Sequence, residues 1–380
     1  MNYFFKIPKF LMILRHVSIF IGCVFSVLIM QAIEAADCSK KKQICYWKNH
    51  VVGIKTPMMV ASGVIIEDTM ILTNRHVVED FESVLIRTNK GKILNAKIRP
   101  HNIAVDLVLL QVEKPLPIAP SGPVGVIKVG DLVQVVAFDQ GRNQNRIYPS
   151  GQILAVPEKS LSQSRIHTNA KSLPGNSGGA LVDNQGNLIG ILASGDGEIN
   201  EAIPISMLQE IKNASDIKYV DEFKAQGKAI RLCADGLGYA HKFSKKPDVR
   251  LIDKIRRNCS RSKNKQLLDQ VGQTFGRWGM LEESIDFLKK SLQLDPISPN
   301  TLLSLAIAYH LDKRIEDEKP VLERLYKITP ENPQALRLGI QVAGRLNDSV
   351  FGYQVLELIK KYNPNETDLA KDFLENALAN

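Results

Sequence analysis

Residues 174–181 of this 380-residue chain read Pro-Gly-Asn-Ser-Gly-Gly-Ala-Leu. The glycines on both sides of Ser177 allow the backbone to bend sharply enough to present the serine hydroxyl. They also allow the amides of Gly175 and Ser177 to point at one substrate carbonyl, as the donors of an oxyanion hole do. Taken alone, a short glycine–serine stretch is more often an ordinary tight turn. It indicates a nucleophile only where the same chain also supplies a base.

Two stretches nearer the N-terminus supply a base and a carboxylate. His76 stands at the polar end of the apolar run that starts at Ile71, and Asp106 is the single acid beside the apolar run Leu107–Leu110. Taken alone, each has an ordinary explanation, as a structural histidine and as a polar cap at a strand edge. Together with Ser177 they predict a triad in which Asp106 orients His76, and His76 takes the proton of the serine hydroxyl.

The region around these residues predicts β-structure. From residue 51 to about residue 208, short apolar runs alternate with turn residues such as Thr88-Asn89-Lys90-Gly91. Many short strands with frequent turns are typical of an all-β sandwich or of barrels, rather than of alternating strands and helices.

Six short motifs follow one another in order within this region. They are Ala-Ser-Gly-Val-Ile-Ile (61–66), Leu-Thr-Asn-Arg-His-Val-Val (72–78), Asp-Leu-Val-Leu-Leu (106–110), Val-Gly-Asp (129–131), Gly-Asn-Ser-Gly-Gly-Ala-Leu (175–181) and Ala-Ile-Pro (202–204). With these motifs, residues 51–212 resemble the trypsin-like domain of the high-temperature-requirement (HtrA) family of serine proteases.

The resemblance implies a chymotrypsin-like all-β fold for residues 46–212, with two six-stranded antiparallel barrels and the active site in the cleft between them. It implies Ser177 as the nucleophile, His76 as the general base and acid, and Asp106 as the residue that orients His76. The amides of Gly175 and Ser177 would form the oxyanion hole. Substrates would be proteins or peptides, and neither a metal nor an organic cofactor is implied.

The sequence departs from the HtrA pattern in two places, so the regulation found in HtrA proteins is not assumed for this chain. No segment after residue 212 resembles the PDZ domain that usually follows the protease in HtrA proteins. Residues 139–145, Asp-Gln-Gly-Arg-Asn-Gln-Asn, lack the family's Gly-Asn-Pro turn. The alternative hypothesis is a catalytically silent peptide-binding scaffold with a protease-like fold, which the intact set of three residues argues against.

The residue six positions before the nucleophile is expected at the base of the primary specificity pocket in chymotrypsin-type enzymes. Here it is Lys171. An ammonium in a partly desolvated pocket would favour an acidic side chain before the scissile bond. If Lys171 instead extends its charge to water, the pocket is aliphatic and is lined by Ile191, Leu192 and Ala193. We favour the second interpretation.

Residues 1–35 have the pattern of a secretory signal peptide. Lys6, Lys9 and Arg15 precede the apolar run Val17–Met30, and small residues follow it. The run is shorter than the roughly 20 residues of a membrane-spanning helix. We therefore expect an exported protein, periplasmic or secreted, that meets the membrane only transiently through this segment. An uncleaved anchor is the alternative.

Four cysteines remain once such a signal is removed: Cys38, Cys45, Cys233 and Cys259. An even number in an oxidising compartment indicates two disulfides, and three pairings are possible. Proximity in the sequence favours Cys38 with Cys45 and Cys233 with Cys259. No histidine stands at metal-ligand spacing from any of them, so zinc is not predicted.

The C-terminal third has a repeat. Pro296, Pro330 and Pro364 are 34 residues apart and close related segments. A 34-residue period with small residues at the helix contacts resembles tetratricopeptide repeats, which would start near residues 265, 299 and 333 and end in a capping helix. The alternative is an unrelated α-helical bundle. Arrays of this kind bind proteins, so residues 265–380 predict an all-α repeat domain with a protein partner that the sequence does not identify.

Positive charge is concentrated between these two parts. Residues 213–264 carry 13 Lys and Arg against 6 Asp and Glu, whereas the net charge of the whole chain is +9. We expect a basic linker with short helices here, and few strong contacts between the barrels and the repeats. A basic run is usually a solvated surface, and export makes nucleic acid a poor partner. The content of 44% hydrophobic and 23% charged residues excludes a wholly disordered or fibrous protein.

Overall fold

The computed structural model describes residues 38, 40–117, 127–158, 161, 163–195, 197–240, 242–243 and 246–379. The predicted signal peptide, residues 1–35, lies outside the described residues. Within the described ranges, no helix is both long enough and apolar enough to cross a membrane.

Six strands form the first barrel. They are β1 (Val51–Lys55), β2 (Val60–Glu67), β3 (Met70–Thr73), β4 (Ser83–Arg87), β5 (Ile93–Arg99) and β6 (Val108–Gln111). They pair in the order β1-β2-β3-β6-β5-β4, and β4 pairs with β1 to close the barrel. A short helix, α1 (Lys42–Tyr46), precedes the barrel, and a single helical turn, α2 (Arg75–Val78), follows β3.

The second barrel is built in the same way. Its strands are β7 (Leu132–Asp139), β8 (Gln144–Ile147), β9 (Gly151–Ala155), β10 (Ile166–Thr168), β11 (Ala180–Asp183), β12 (Leu188–Gly195) and β13 (Asn200–Pro204). Six of them close in the order β11-β12-β13-β10-β9-β7, since β11 pairs again with β7, and β8 extends the sheet beyond β7. The predicted chymotrypsin-like double barrel is confirmed.

The two barrels share a core because successive side chains of a strand point to opposite faces. Ile65 and Ile71 pack in the interior of the first barrel. Their neighbours Val64 and Leu72 join a second apolar cluster, which also contains Val136 of the second barrel. This shared cluster determines how the two barrels, and the candidate catalytic residues that they carry, lie relative to each other.

Helices follow the second barrel. They are α3 (Leu208–Ala214), α4 (Val220–Ala240), α5 (Val249–Ser262), α6 (Lys265–Arg277), α7 (Leu281–Leu294), α8 (Pro299–Leu311), α9 (Ile315–Tyr326), α10 (Pro333–Arg345), α11 (Ser349–Tyr362) and α12 (Thr367–Leu378). Helices α6, α8 and α10 begin at residues 265, 299 and 333, a step of 34 residues each time. The equivalent residues Leu268, Leu302 and Leu336 are all buried. The helix boundaries thus follow the predicted period, while the assignment to tetratricopeptide repeats stays a prediction.

The segment 213–264 is more regular than the expected linker with short helices. It holds the 21-residue helix α4 and the 14-residue helix α5. A disulfide between Cys233 and Cys259 joins these two helices, and a second disulfide joins Cys38 to Cys45. The spacing of a few apolar residues indicated helices here but not their length, since the pattern leaves the helix ends undefined.

Buried ion pairs connect the helices to the second barrel, so the expectation of few strong contacts is wrong. Lys265 of α6 places its Nζ 2.5 Å from Oε1 of Glu201 on β13. Asp295, directly after α7, places Oδ2 2.9 Å from Nε2 of His167 on β10. All four side chains are at most 4% exposed. Sequence period and composition carry no information about which distant charges meet, and so these contacts were not foreseen.

Candidate active site

His76 and Asp106 meet because β3 and β6 are antiparallel neighbours. Thr73 at the end of β3 pairs with Val108 at the start of β6. His76 lies just after the first position and Asp106 just before the second, so both lie at the same edge of the barrel. His76 Nδ1 is 2.7 Å from Asp106 Oδ2, and the backbone N–H of His76 donates to Oδ1 over 2.9 Å. Both oxygens of one carboxylate therefore hold one histidine.

The electrostatics of this pair determine the tautomer of the imidazole. Burial alone would raise the pKa of Asp106, but attraction to His76, a hydrogen bond from His76 and attraction to Arg165 together lower it below the usual value. Asp106 is thus a carboxylate and accepts the proton of Nδ1. In the neutral imidazole the other ring nitrogen, Nε2, is then the one that accepts a proton and is able to act as a base.

Ser177 lies in a turn that is wedged between strands of both barrels. The carbonyl of Ser177 accepts a hydrogen bond from the N–H of Ser62 on β2 over 2.7 Å, and the N–H of Gly178 donates to Leu192 on β12 over 2.8 Å. Gly178 has φ of +84°, and a Cβ there would lie 1.9 Å from the carbonyl oxygen of Ser62. Only glycine fits this position, which explains why a glycine must follow the serine.

Asn176 anchors the same turn from inside. Its side chain is buried, accepts from the N–H of Leu173 over 2.7 Å, and donates to the carbonyl of Phe138 and the hydroxyl of Tyr148, both over 3.0 Å. Sequence analysis assigned no role to Asn176 or Tyr148. The position of Asn176 inside the glycine-rich stretch indicated that it has a role in the turn. Nothing in the sequence around Tyr148 indicated a role.

The hydroxyl of Ser177 is directed at a backbone carbonyl. Its Oγ donates to Ala193 over 3.0 Å, and no hydrogen bond joins it to His76 within the described part of the chain. The backbone N–H groups of Gly175 and Ser177 donate to no acceptor among the described residues. Gly175 has φ of +90°, a conformation that glycine adopts without strain. Two amides beside the hydroxyl of Ser177 thus have no protein acceptor among the described residues, as the predicted oxyanion hole requires.

The residues predicted to line the specificity pocket have different surroundings. Lys171 is exposed, and its Nζ donates to the carbonyl of Gly197 over 3.4 Å. Ile191 and Ala193 belong to the cluster shared by the two barrels. Leu192 points the opposite way on β12 and packs inside the second barrel.

Sequence analysis missed a buried charged network that lies next to Asp106. Nη2 of Arg165 lies 3.9 Å from Oδ2 of Asp106, and both side chains are 2% exposed. Nη1 of Arg165 is 3.0 Å from Oε2 of Glu201 and donates to Oγ of Ser194 over 3.0 Å. Charged residues stand next to apolar strands in Arg165-Ile166 and Glu201-Ala202-Ile203, which indicated that their side chains are buried and paired. The sequence did not indicate which charges form the pairs.

Three members of this network have ligand atoms close enough for a metal, namely His167, Glu201 and Asp295. The ammonium of Lys265 already lies 2.5 Å from Glu201 and 4.0 Å from Asp295, and Arg165 binds the other oxygen of Glu201. Two protein cations thus occupy the place that a metal would take. The donor set fits an internal ion network better than a metal site.

A second contact with the helices lies directly beside His76. The guanidinium of Arg75 stacks on the ring of Phe223 in α4, 3.5 Å from its centroid, and donates to the carbonyls of Glu79 and Phe223. Burial lowers the pKa of Arg75 to about 9, against attraction from Asp106, Asp80 and Glu79. The turn that carries the histidine is therefore covered by a helix outside the barrels.

The comparisons with known proteins agree with this geometry. Residues 61–191 match the family model described as a trypsin-like peptidase domain. The barrels are similar to HtrA-type serine proteases. The chain is 34% identical over 169 residues to the periplasmic pH-dependent serine endoprotease DegQ of Escherichia coli (strain K12), covering 40% of this chain and 36% of DegQ. It is 29% identical over 184 residues to the serine endoprotease DegS of the same strain, covering 45% of this chain and 50% of DegS.

Among solved structures, the HtrA-type protease AlgW with a tripeptide matches with 30% identity and a TM-score of 0.41. The match covers 45% of this chain and 61% of that chain. The chain spans half or less of the length of DegQ and DegS. The family-model match includes His76, Asp106 and Ser177 and ends before the helices.

Proposed function

We propose that this chain is an exported serine endopeptidase that hydrolyses peptide bonds in proteins or peptides through Ser177, His76 and Asp106. The observation that carries the proposal is the double hydrogen bond between Asp106 and His76 beside a glycine-locked serine. A carboxylate that holds both the ring N–H and the backbone N–H of a histidine serves to orient a base. The proposed protease domain comprises residues 46–212.

The chemistry requires one movement of the nucleophile. Rotation about the Cα–Cβ bond of Ser177 carries its hydroxyl from the carbonyl of Ala193 to His76. The oxygen then attacks the substrate carbonyl carbon while Nε2 of His76 takes the hydroxyl proton. The amides of Gly175 and Ser177 stabilise the oxyanion, and a single such donor is worth about 100- to 1,000-fold in rate.

Collapse of this intermediate breaks the C–N bond. His76 returns its proton to the leaving amine, and the acyl group stays on Ser177 as an ester. A water molecule then attacks the ester, again with His76 as the base, which releases the acid and restores the serine hydroxyl. Asp106 remains ionised throughout and stabilises the imidazolium that forms twice in each cycle.

Two observations support the cellular location. The disulfides Cys38–Cys45 and Cys233–Cys259 suit an oxidising compartment, and DegQ is named a periplasmic enzyme. We infer that residues 1–35 are a signal peptide and that the helices from residue 265 onwards are tetratricopeptide-like repeats that bind a protein partner or substrate.

The position of these helices supports a role in substrate capture. A cavity of about 320 Å³ lies between β12 and the helices α6 and α8. Ser194 and Gly195 line it from the strand that follows Ala193, and polar side chains such as Gln273 and Asn300 line it from the helices. A peptide held by the helices would therefore lie beside β12, the strand whose Ala193 carbonyl accepts from the hydroxyl of Ser177.

The proposal is tested by labelling with a serine-directed fluorophosphonate. The mature wild-type chain should react at Ser177 and cleave an unfolded protein substrate, whereas Ser177→Ala should do neither and His76→Ala should lose nearly all cleavage. Asn213→Ala, on the exposed part of α3, serves as the control. If the folded wild-type protein is neither labelled nor able to cleave any peptide, the chain is instead a silent scaffold, with Ser177 held by Ala193.

A further inference from the structure

Asp106 has a second partner besides His76, and this partner is the guanidinium of Arg165. The same oxygen, Oδ2, lies 2.7 Å from Nδ1 of His76 and 3.9 Å from Nη2 of Arg165. Both Asp106 and Arg165 are 2% exposed, so water screens their attraction very little. Arg165 thus acts on the oxygen that orients the catalytic base.

Arg165 is held in place by acceptors on neighbouring strands. Its Nη1 donates to Glu201 on β13 and to Ser194 on β12, each over 3.0 Å. The backbone N–H of Arg165 donates to Oδ1 of Asp295 over 3.4 Å. Two acceptors on Nη1 limit the rotation of the guanidinium, because its donors have a rigid planar geometry.

The helices supply the remaining charges of the network. Lys265 of α6 is 1% exposed and neutralises the second oxygen of Glu201. Lys265 also donates to Oγ of Ser298, which itself donates to Glu201 over 3.1 Å. Asp295 accepts from His167 over 2.9 Å. Without Lys265 and Asp295, Glu201 and His167 would be buried beside Arg165 with incomplete pairing, which buried charges tolerate poorly.

We propose that Arg165 is a positioning residue for Asp106, and that the helices complete the catalytic unit by supplying Lys265 and Asp295 to hold Arg165. This inference rests on the peptidase activity proposed above. Arg165 holds the carboxylate of Asp106 in the orientation that His76 requires, and its charge opposes protonation of that carboxylate. Helices α6 and α7 are in this way parts of the enzyme and not only a binding module.

Arg165→Gln in the full chain tests the proposal. We expect kcat for a small peptide to fall about 10- to 100-fold with KM nearly unchanged, because the base is misplaced while the substrate contacts remain. The acid limb of the pH–kcat/KM profile should move up by about 0.5 to 1 pH unit, since this limb reports protonation of the coupled His76–Asp106 pair and a nearby cation that opposes that protonation is gone. Arg165→Lys, which keeps the charge, should retain the wild-type acid limb.

The charged and titratable groups around Asp106 are Arg75 and His76 of α2, Arg165 and His167 of the β10 segment, Glu201 of β13, Lys265 of α6 and Asp295 after α7.

The double variant Arg165→Gln/Glu201→Gln removes one charge of each sign and leaves the net charge of the network unchanged, so it remains informative if Arg165→Gln folds poorly. Lys265→Gln should lower kcat in the same direction, although Lys265 has no contact with the triad. Arg337→Gln, which removes the exposed partner of Glu366, is the matched control and should behave as wild type.

Active sites are counted by fluorophosphonate labelling, and folding is checked by thermal melting. If the folded Arg165→Gln and Arg165→Gln/Glu201→Gln variants keep the wild-type kcat per labelled site and the wild-type acid limb, Arg165 is only structural and the inference is wrong. Failure of the peptidase proposal itself is distinguishable, because the wild-type chain would then show no labelling at all.

Discussion

At the scale of single residues, the serine turn leaves little freedom to substitute. The carbonyl of Ser62 leaves no room for a Cβ at position 178, and Asn176 donates hydrogen bonds from the turn to Phe138 and Tyr148. Gly178 and Asn176 thus each have contacts that explain their residue type. Lys171, six positions before Ser177, is different, because its charged end reaches an exposed backbone carbonyl at Gly197.

The position of the Lys171 ammonium predicts which substrate residue precedes the cleaved bond. Because its Nζ lies at the surface, we expect cleavage after small aliphatic residues in both the wild type and Lys171→Ala. Profiling a peptide library with both proteins measures this, and Lys55→Ala, at an exposed strand end, controls for a general loss of positive charge. Preferential cleavage after Glu or Asp that disappears in Lys171→Ala would show that the ammonium enters the pocket instead.

At the scale of secondary structure elements, α6 is an unusual surface helix because it buries charge against the barrel. Lys265 is 1% exposed and Asp269, one turn further on, is 9% exposed. Burial is the largest influence on Asp269 and raises its pKa from 3.8 to about 6, while attraction to Lys265 partly opposes the shift. The side chain is therefore protonated over a range where an exposed aspartate is charged.

This raised pKa predicts a pH dependence of stability. The folded state binds the proton of Asp269 more tightly than the unfolded state, so the stabilisation is fully present below about pH 3.8 and is lost as the pH rises through about 6. The contribution is about 2 to 3 kcal/mol. In Asp269→Asn, the free energy of unfolding should lack this fall between pH 4 and pH 7, as measured by urea denaturation.

Asp286→Asn on α7 is the control for this experiment, because Asp286 is exposed and forms only a surface pair with Lys290. If the wild type and Asp269→Asn show parallel stability–pH curves, then the carboxyl of Asp269 is ionised in the folded state throughout this range.

At the scale of the whole molecule, the helices and the barrels are joined at two places near the triad. Phe223 of α4 covers Arg75 beside His76, and Lys265 and Asp295 neutralise the network behind Asp106. A chain that ends after Lys212 loses all of these partners. It leaves Arg75, Glu201 and His167 without these counterparts, and each charge that stays buried after losing its ion-pair partner costs about 3 to 5 kcal/mol.

We therefore expect residues 38–212 alone to be insoluble or to melt well below the full chain, with few sites labelled by fluorophosphonate. A chain that ends after Leu346 is the control, because it removes α11 and α12 and keeps the contacts of Phe223, Lys265 and Asp295 with the barrels. A soluble 38–212 fragment with the wild-type rate of cleavage of small peptides would contradict this prediction and would show that the barrels are autonomous.

The sequence by itself determined the features that depend on local chemistry. Glycines around Ser177, the apolar runs before His76 and after Asp106, and the 34-residue step of the helices are all visible in the order of residues, because strand, turn and helix preferences are local. Cysteines 7 and 26 residues apart likewise paired as proximity suggested. Only the tertiary structure decided which distant charges meet. Arg165, Glu201, Lys265 and Asp295 come from four separate segments, and their pairing depends on how the helices pack against the second barrel, which no local preference encodes.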